Sequence, residues 1–297
     1  MKNKKNFLLI TFQFLFILNF ISTTAGFPLI NFVSQTPTNA TSTTNTSIQI
    51  NISIIQGINP VNEVKFNWNL TNYTIYDDSL ILMYNFENLS SLGENATRVI
   101  DLSKYQNNGT LVSSPTYNTT CKFGGCYNFV GANDRINVSL SSTTKNFTFS
   151  FWVKSVSTAE SYLFDSELGR LVIAWKDTTE QNSIAFWDTS VWRYLEKTSN
   201  VADNNWHNLI FVTNSTNITY YRDGNLINIT PYTNPVNIGN KVSIGSYYDG
   251  GTSYNFNGSI DEFRIWNRSL SANEVYEIYS SNLQKYNQTQ WYLYVNQ

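Results

Sequence analysis

Charge is what this chain has least of. Lysine and arginine number 19, and aspartate and glutamate 21, among 297 residues. A net charge of −2, with no basic block beyond the first residues, excludes the electrostatic footprint of a nucleic-acid binder. Histidine occurs once, at His207, and no nucleophile elbow accompanies it, so nothing points to a His/Ser/Asp triad. The two cysteines are too few for a structural zinc site. No glycine-rich phosphate-binding loop is present, and no segment after residue 26 has the roughly 20 apolar residues that a membrane-spanning helix needs.

What the chain does have is apolar and neutral polar material. Hydrophobic residues make up 41% and aromatics 15%, enough to bury a sizeable core in one large β-sandwich plus a smaller unit. Asparagine, serine and threonine take the surface role that charge plays elsewhere. Residues 1–26 read as a signal peptide: Lys2, Lys4 and Lys5 precede the apolar run Phe7 to Ile21, and small residues follow at Thr23, Thr24, Ala25 and Gly26. That run is short for an uncleaved membrane anchor, so no membrane span is expected after cleavage, and the protein is placed outside the cell or at its surface.

Two further features agree with export. Asn-x-Ser/Thr triplets occur seventeen times, where composition alone gives about nine. Candidate glycan acceptors include Asn39, Asn69, Asn88, Asn137, Asn214, Asn257 and Asn267, and none falls between Asn146 and Asn214. Cys121 and Cys126 flank a four-residue turn in TCKFGGCYNF, with strand-like neighbours on both sides. That arrangement suits a hairpin disulfide in an oxidising compartment, worth only about 2 kcal/mol because the loop is short.

The pattern along the chain is all-β. SIQINISI alternates with Ile48, Ile50, Ile52 and Ile54 on one face, and VKFNWNLTNYTIY alternates in turn. Residues 27–78 therefore read as a partial immunoglobulin-like β unit, too short to complete one. The C-terminal segment 284–297 returns to strand character with Trp291, Leu293 and Val295, and is expected to pair with it. Between residues 79 and 281, strand signals recur every 10–15 residues with turn residues between, which indicates a sandwich. Asp223-Gly224 marks a tight hairpin. SANEVYEIYSS is the one convincing helix, with a capping box from Ser271 to Glu274 and an apolar stripe of Val275, Ile278 and Tyr279.

LILMYNFEN, VIDLSKYQNNGTL, CYNFVGANDRINV, FTFSFWVKS, NNWHNLIFVTNSTNITYYRDGNLIN and KVSIGSYYDGGTSYNFNGSIDEFRIWNRSLSANEVYEIY follow one another in that order. In this the chain resembles the laminin-G-like jelly-roll domains of the concanavalin A-like lectin/glucanase superfamily, over about residues 79–281, and the flanks resemble strands of archaeal and bacterial surface proteins. The resemblance implies a two-sheet jelly roll with one short C-terminal helix, binding glycans or cell-surface glycoproteins in adhesion. It also implies a Ca²⁺ site of oxygen ligands at Asp101, Asn107 or Asn108, and Asp261. Lys104 departs from the family pattern, which usually has glycine there. The simpler alternatives are that Asp101 caps a turn and that Asp261 pairs with Arg264.

Catalysis finds little footing. Retaining glycoside hydrolysis needs two carboxyls about 5–5.5 Å apart. Asp165 and Glu167 lie two apart without a third acid, while Asp261 and Glu262 are adjacent and, on a regular strand, point to opposite faces. The expected function is a non-catalytic lectin-like module, with a purely structural protein–protein surface module as the rival and a glycoside hydrolase behind it. The sequon-free stretch offers the ligand site: Trp175, Trp187, Trp192 and Tyr194 as stacking rings, with Asp188, Arg193 and Asp177 as polar helpers. Against this stands the ordinary fate of tryptophan in a sandwich, burial in the core. His207 is read as a hydrogen-bonded structural residue.

Overall fold

The computed structural model describes residues 28–34, 36–38, 44–45, 47–55, 61–68, 70–141, 144–167, 171–176, 183–197, 201–232, 237–248 and 254–296. Residues 1–26, expected as a signal peptide, and Asn39, Asn69 and Asp177 lie outside them. Two eight-stranded antiparallel sheets face each other. The first runs Trp192–Glu196, Ser183–Trp187, Val172–Lys176, Ser161–Ser166, Lys241–Ile244, Arg135–Ser139, Gly109–Val112 and Arg98–Val99. The second runs Asn225–Pro231, Asn217–Arg222, His207–Thr213, Thr148–Lys154, Gly258–Trp266, Cys126–Phe129 and Thr116–Asn118. Its strand Leu80–Tyr84 also pairs with Gly258–Trp266, beyond the point where Cys126–Phe129 stops. The fold is an all-β sandwich with one α-helix among the described residues, consistent with a jelly roll.

Alternation explains the core between the sheets. Phe147, Phe149, Phe151 and Val153 point inward from one strand, and meet Leu163, Phe164, Ile173, Trp175, Ile184 and Phe186 from the other sheet. Phe263 ties the two together, its ring stacked on Phe151 at 5.1 Å and on Phe164 at 6.2 Å.

The flanking segments form a third layer. Leu29–Phe32, Ser47–Ile55, Gln290–Asn296 and Ser281–Lys285 make a four-stranded antiparallel sheet, in that order. Val64–Trp68 and Thr71–Tyr76 form a separate hairpin. Ser47–Ile55 pairs with Gln290–Asn296, so the C-terminal segment does return to the N-terminal strands. The apolar face they share packs on the outer face of the second sheet. There Ile48, Ile50, Ile52 and Ile54 join Tyr73, Ile75, Trp291 and Leu293 against Met83, Ile210, Val212 and Trp266.

The helix Ala272–Ser280 seals this second core with Val275 and Ile278. Ser271 accepts from the Glu274 N–H, while the Glu274 carboxylate accepts the Ser271 N–H at 2.8 Å. Ser271→Ala is expected to cost about 1 kcal/mol, read as a lower urea midpoint at unchanged slope.

Candidate saccharide-binding face

The strands at one end of the first sheet carry opposite chemistry on their two faces. Ile173, Trp175, Ile184 and Phe186 enter the sandwich core, so the residues between them face outward. On that outer face Val172, Ala174 and Tyr162 form a small apolar patch, with Trp187, Trp192 and Tyr247 packed on it. Register places the rings side by side: Trp192 is opposite Trp187, Trp187 opposite Val172, and Tyr194 opposite Ala185. The two alanines leave room for the rings to lie against the sheet.

The ring chain is continuous. Trp187 and Trp192 have centroids 5.4 Å apart, and Trp192 and Tyr162 6.1 Å apart. Tyr162 stacks on Tyr254 at 4.7 Å with planes 8° apart, and touches Tyr247 at 6.1 Å. Tyr254 is 42% exposed and Val191 at the adjoining turn 43%, so the patch meets solvent. Lys197 places its ammonium 5.8 Å from the Tyr194 centroid. Such a surface offers aromatic faces to the C–H faces of a sugar ring, with hydroxyl and indole groups at its rim.

Three of the expected ligand residues lie elsewhere. Trp175 is 1% exposed in the sandwich core, because it stands one residue from the outward Ala174. Asp188 is buried and caps the turn that follows it. Its Oδ1 accepts from the Ser190 N–H and hydroxyl and the Val191 N–H, and its Oδ2 from Arg193 Nε at 2.8 Å. Burial pushes that carboxyl up, but the Ser190, Val191 and Arg193 hydrogen bonds prevail and hold it below the usual range. Arg193 alternates away from Trp192 and is spent on this brace. Trp187, Trp192 and Tyr194 remain on the face; Tyr162, Tyr247 and Tyr254 join them, though no sequence signal set these tyrosines apart from core ones.

The residues expected around calcium do not fit that ion. Asp101 and Asn107 share one loop, but Asp101 Oδ1 accepts the Met83 and Ser103 N–H groups, and Oδ2 accepts the Ser103 hydroxyl and the Asn107 N–H. Asn107 Oδ1 accepts the Ser141 N–H, and Asn108 Oδ1 the Asp101 N–H. A lone-pair set turned toward N–H and O–H donors is that of a turn cap, not of a cation shell. Asp261 belongs to another strand and accepts from the Phe123 N–H at 3.0 Å. Among the described residues no three His, Cys, Asp or Glu side chains are grouped to hold a metal.

Asp261 and Glu262 also depart from strict alternation. A bulge in Gly258–Trp266, with Glu262 at φ 52°, leaves both between the core residues Ile260 and Phe263. Both therefore turn away from the sandwich core. Arg264 pairs with Glu262 at 2.6 Å rather than with Asp261. Asp165 is buried and accepts the Tyr248 N–H, while Glu167 pairs with Lys241 at 3.4 Å. His207 is held between Asp223 at 2.7 Å and Asp203 at 3.1 Å, and hydrogen bonding to Asp223 raises its basicity.

Cys121 and Cys126 are joined, their Cα atoms 5.8 Å apart. Asn88, Asn214 and Asn257 are exposed; Asn137 is half-buried on the outer face of the first sheet, hydrogen-bonded by Arg135 Nε at 3.1 Å. No helix among the described residues is long and apolar enough to cross a membrane.

Residues 130–276 match the model of the concanavalin A-like lectin/glucanases superfamily. No curated protein matches the chain. Domain 4 of an extracellular arabinanase from Geobacillus stearothermophilus, solved with arabinotriose, is similar at 17% identity and a TM-score of 0.52, over 67% of this chain and 98% of that one. The receptor-binding domain of botulinum neurotoxin type G is similar at 18% identity and the same TM-score, over 68% of this chain and 51% of that one. The receptor-binding domain of botulinum neurotoxin D matches at 17% identity and 0.52, over 68% and 52%. The chain thus spans about half the length of the toxin domains. Identities this low establish the shared fold.

Proposed function

We propose, on the premise that residues 130–276 carry a concanavalin A-like domain, that this protein is a non-catalytic saccharide-binding module of the cell exterior. The observation that carries the reading is the ring chain on the outer face of a sheet whose other face is core, with Trp187, Trp192 and Tyr254 partly exposed around the largely buried Tyr162. Stacking on C–H faces selects ligands by ring shape, which suits neutral sugars better than charged partners. The similar arabinanase domain, solved with arabinotriose, and the toxin receptor-binding domains support a binding role. The disulfide, the lysine-led apolar N-terminus and the excess of sequons support export, with cell-surface glycans or glycoproteins as partners.

A glycan array probed with the purified chain is expected to show specific binding. Trp192→Ala is expected to remove about 2 kcal/mol of it, roughly 30-fold in Kd, without lowering the melting temperature appreciably. Array binding that survives both Trp192→Ala and Tyr162→Ala would remove the face from consideration. Silence of the folded, disulfide-intact chain across the array would favour the structural protein–protein module.

A further inference from the structure

The third layer is fastened to the sandwich by a buried network of unusual charge. Glu262 and Arg264 point from the second sheet, and Glu87 follows the strand Leu80–Tyr84. From the small sheet come Asn282 and Gln284. One nitrogen, Gln284 Nε2, donates to Glu87 Oε1 at 2.7 Å, to Glu262 Oε1 at 3.1 Å and to the Phe123 carbonyl at 3.2 Å. Glu262 also accepts from Asn282 Nδ2 at 2.9 Å, from Asn85 Nδ2 at 3.0 Å and from Arg264 Nη2 at 2.6 Å. Arg264 Nη2 reaches across to Asn282 Oδ1 and to the Leu283 carbonyl. The disulfide loop closes the set, giving its Phe123 N–H to Asp261 and its Gly125 N–H to Glu87.

Three carboxyls, Glu87, Asp261 and Glu262, thus stand about this network with one guanidinium among them, and that guanidinium pairs with Glu262 alone. Were all three ionised, two negative charges would stand uncompensated in a site where Asp261, Glu262 and Arg264 are each at most 2% exposed. We propose that this carboxyl–amide network is a proton-operated latch, which holds the small sheet to the sandwich while its carboxyls keep protons and loosens as they ionise.

The surroundings set the direction. Burial pushes Glu87 up to about 8, the Glu262 charge adds to the rise, and Gly125 and Gln284 oppose it. Burial raises Asp261 as well, with Glu262 and Glu87 adding to it. Glu262 is raised by burial, and Arg264 works against that rise. The other ionisable groups facing the cluster are Glu94 and Tyr117 on the sandwich, Tyr292 and Tyr294 on the small sheet, and Lys122 in the disulfide loop. Lys122 stands 4.1 Å above the Trp152 ring, and burial lowers its basicity. It is a weak source of compensation.

A folded value above the unfolded one means that the Glu87 contribution is complete below about 4.5 and is lost as pH rises toward about 8. Each proton so held changes the folded-to-unfolded ratio by up to about tenfold per pH unit across that window. The test uses the intact chain between pH 5 and 9.

Urea midpoints are expected to fall with rising pH, and Glu87→Gln, which keeps an acceptor for Gln284 but cannot ionise, is expected to flatten the fall. Amide exchange in the native chain, corrected for its intrinsic pH dependence, is expected to lose protection in Ser281–Lys285 and Gln290–Asn296 before Thr148–Lys154. A Glu87→Gln slope equal to the native one would overturn the latch. If that variant does not fold, exchange in the native chain decides: protection lost in step across both layers would overturn it too.

Discussion

Replacing Arg264 with methionine is expected to lower the unfolding free energy by about 3–5 kcal/mol. The guanidinium is 2% exposed and is the partner of Glu262 at 2.6 Å. Methionine fills much of the same volume, so the loss does not come from a cavity. It comes from leaving Glu262 charged and buried beside Asp261 and Glu87, and from stripping the Asn282 side chain and the Leu283 carbonyl of their donor. Urea unfolding at neutral pH measures it. A second substitution, Glu262→Gln, is expected to recover part of the loss, and the cycle gives the coupling. Acid also narrows the gap, because a protonated Glu262 no longer needs the guanidinium. A loss below 1 kcal/mol would mean that solvent reaches this pair in solution.

Phe263→Ala is the apolar counterpart, with an expected cost of about 3–5 kcal/mol. Phe263 is fully buried next to Arg264 on the same strand, but on the opposite face. Its ring stacks on Phe151 at 5.1 Å and 11° and on Phe164 at 6.2 Å and 13°, bridging the second sheet to the first. Neighbouring rings are held by their own strands, so the site cannot collapse fully and a cavity remains. The urea midpoint is expected to drop with the slope unchanged. Trp192→Ala removes a ring on the outer face and should leave that midpoint nearly in place. The pair of variants therefore separates the face that holds the sandwich together from the face assigned to ligand.

Local chemistry carries much of this fold into view. Two-residue alternation in FTFSFWVKS names its own core face, because successive side chains of a strand point oppositely. The capping box at Ser271 and Glu274 announces the helix start for a similarly local reason. The ordered blocks between residues 79 and 281 resemble one domain family, and residues 130–276 match its model. Two cysteines around a short turn have few partners to choose from, and they are joined.

What failed to show in the sequence depends on neighbours distant along the chain. A bulge is set by the partner strand, so nothing near Glu262 announces that it and Asp261 turn the same way. Trp175 and Trp187 sit in similar aromatic runs, and only strand register sends one into the core and leaves the other outside. Asp101 and Asp188 carry the residue type of a ligand, but nearby N–H and O–H groups claim their oxygens as turn caps. The small sheet is the clearest case. Its apolar faces were legible at residues 48–54 and 291–295, yet what they cover is the outer face of the second sheet, at Met83, Ile210, Val212 and Trp266 on three different strands. Periodicity is a property of the backbone and can be read locally; burial and pairing belong to whichever surfaces the completed chain brings together.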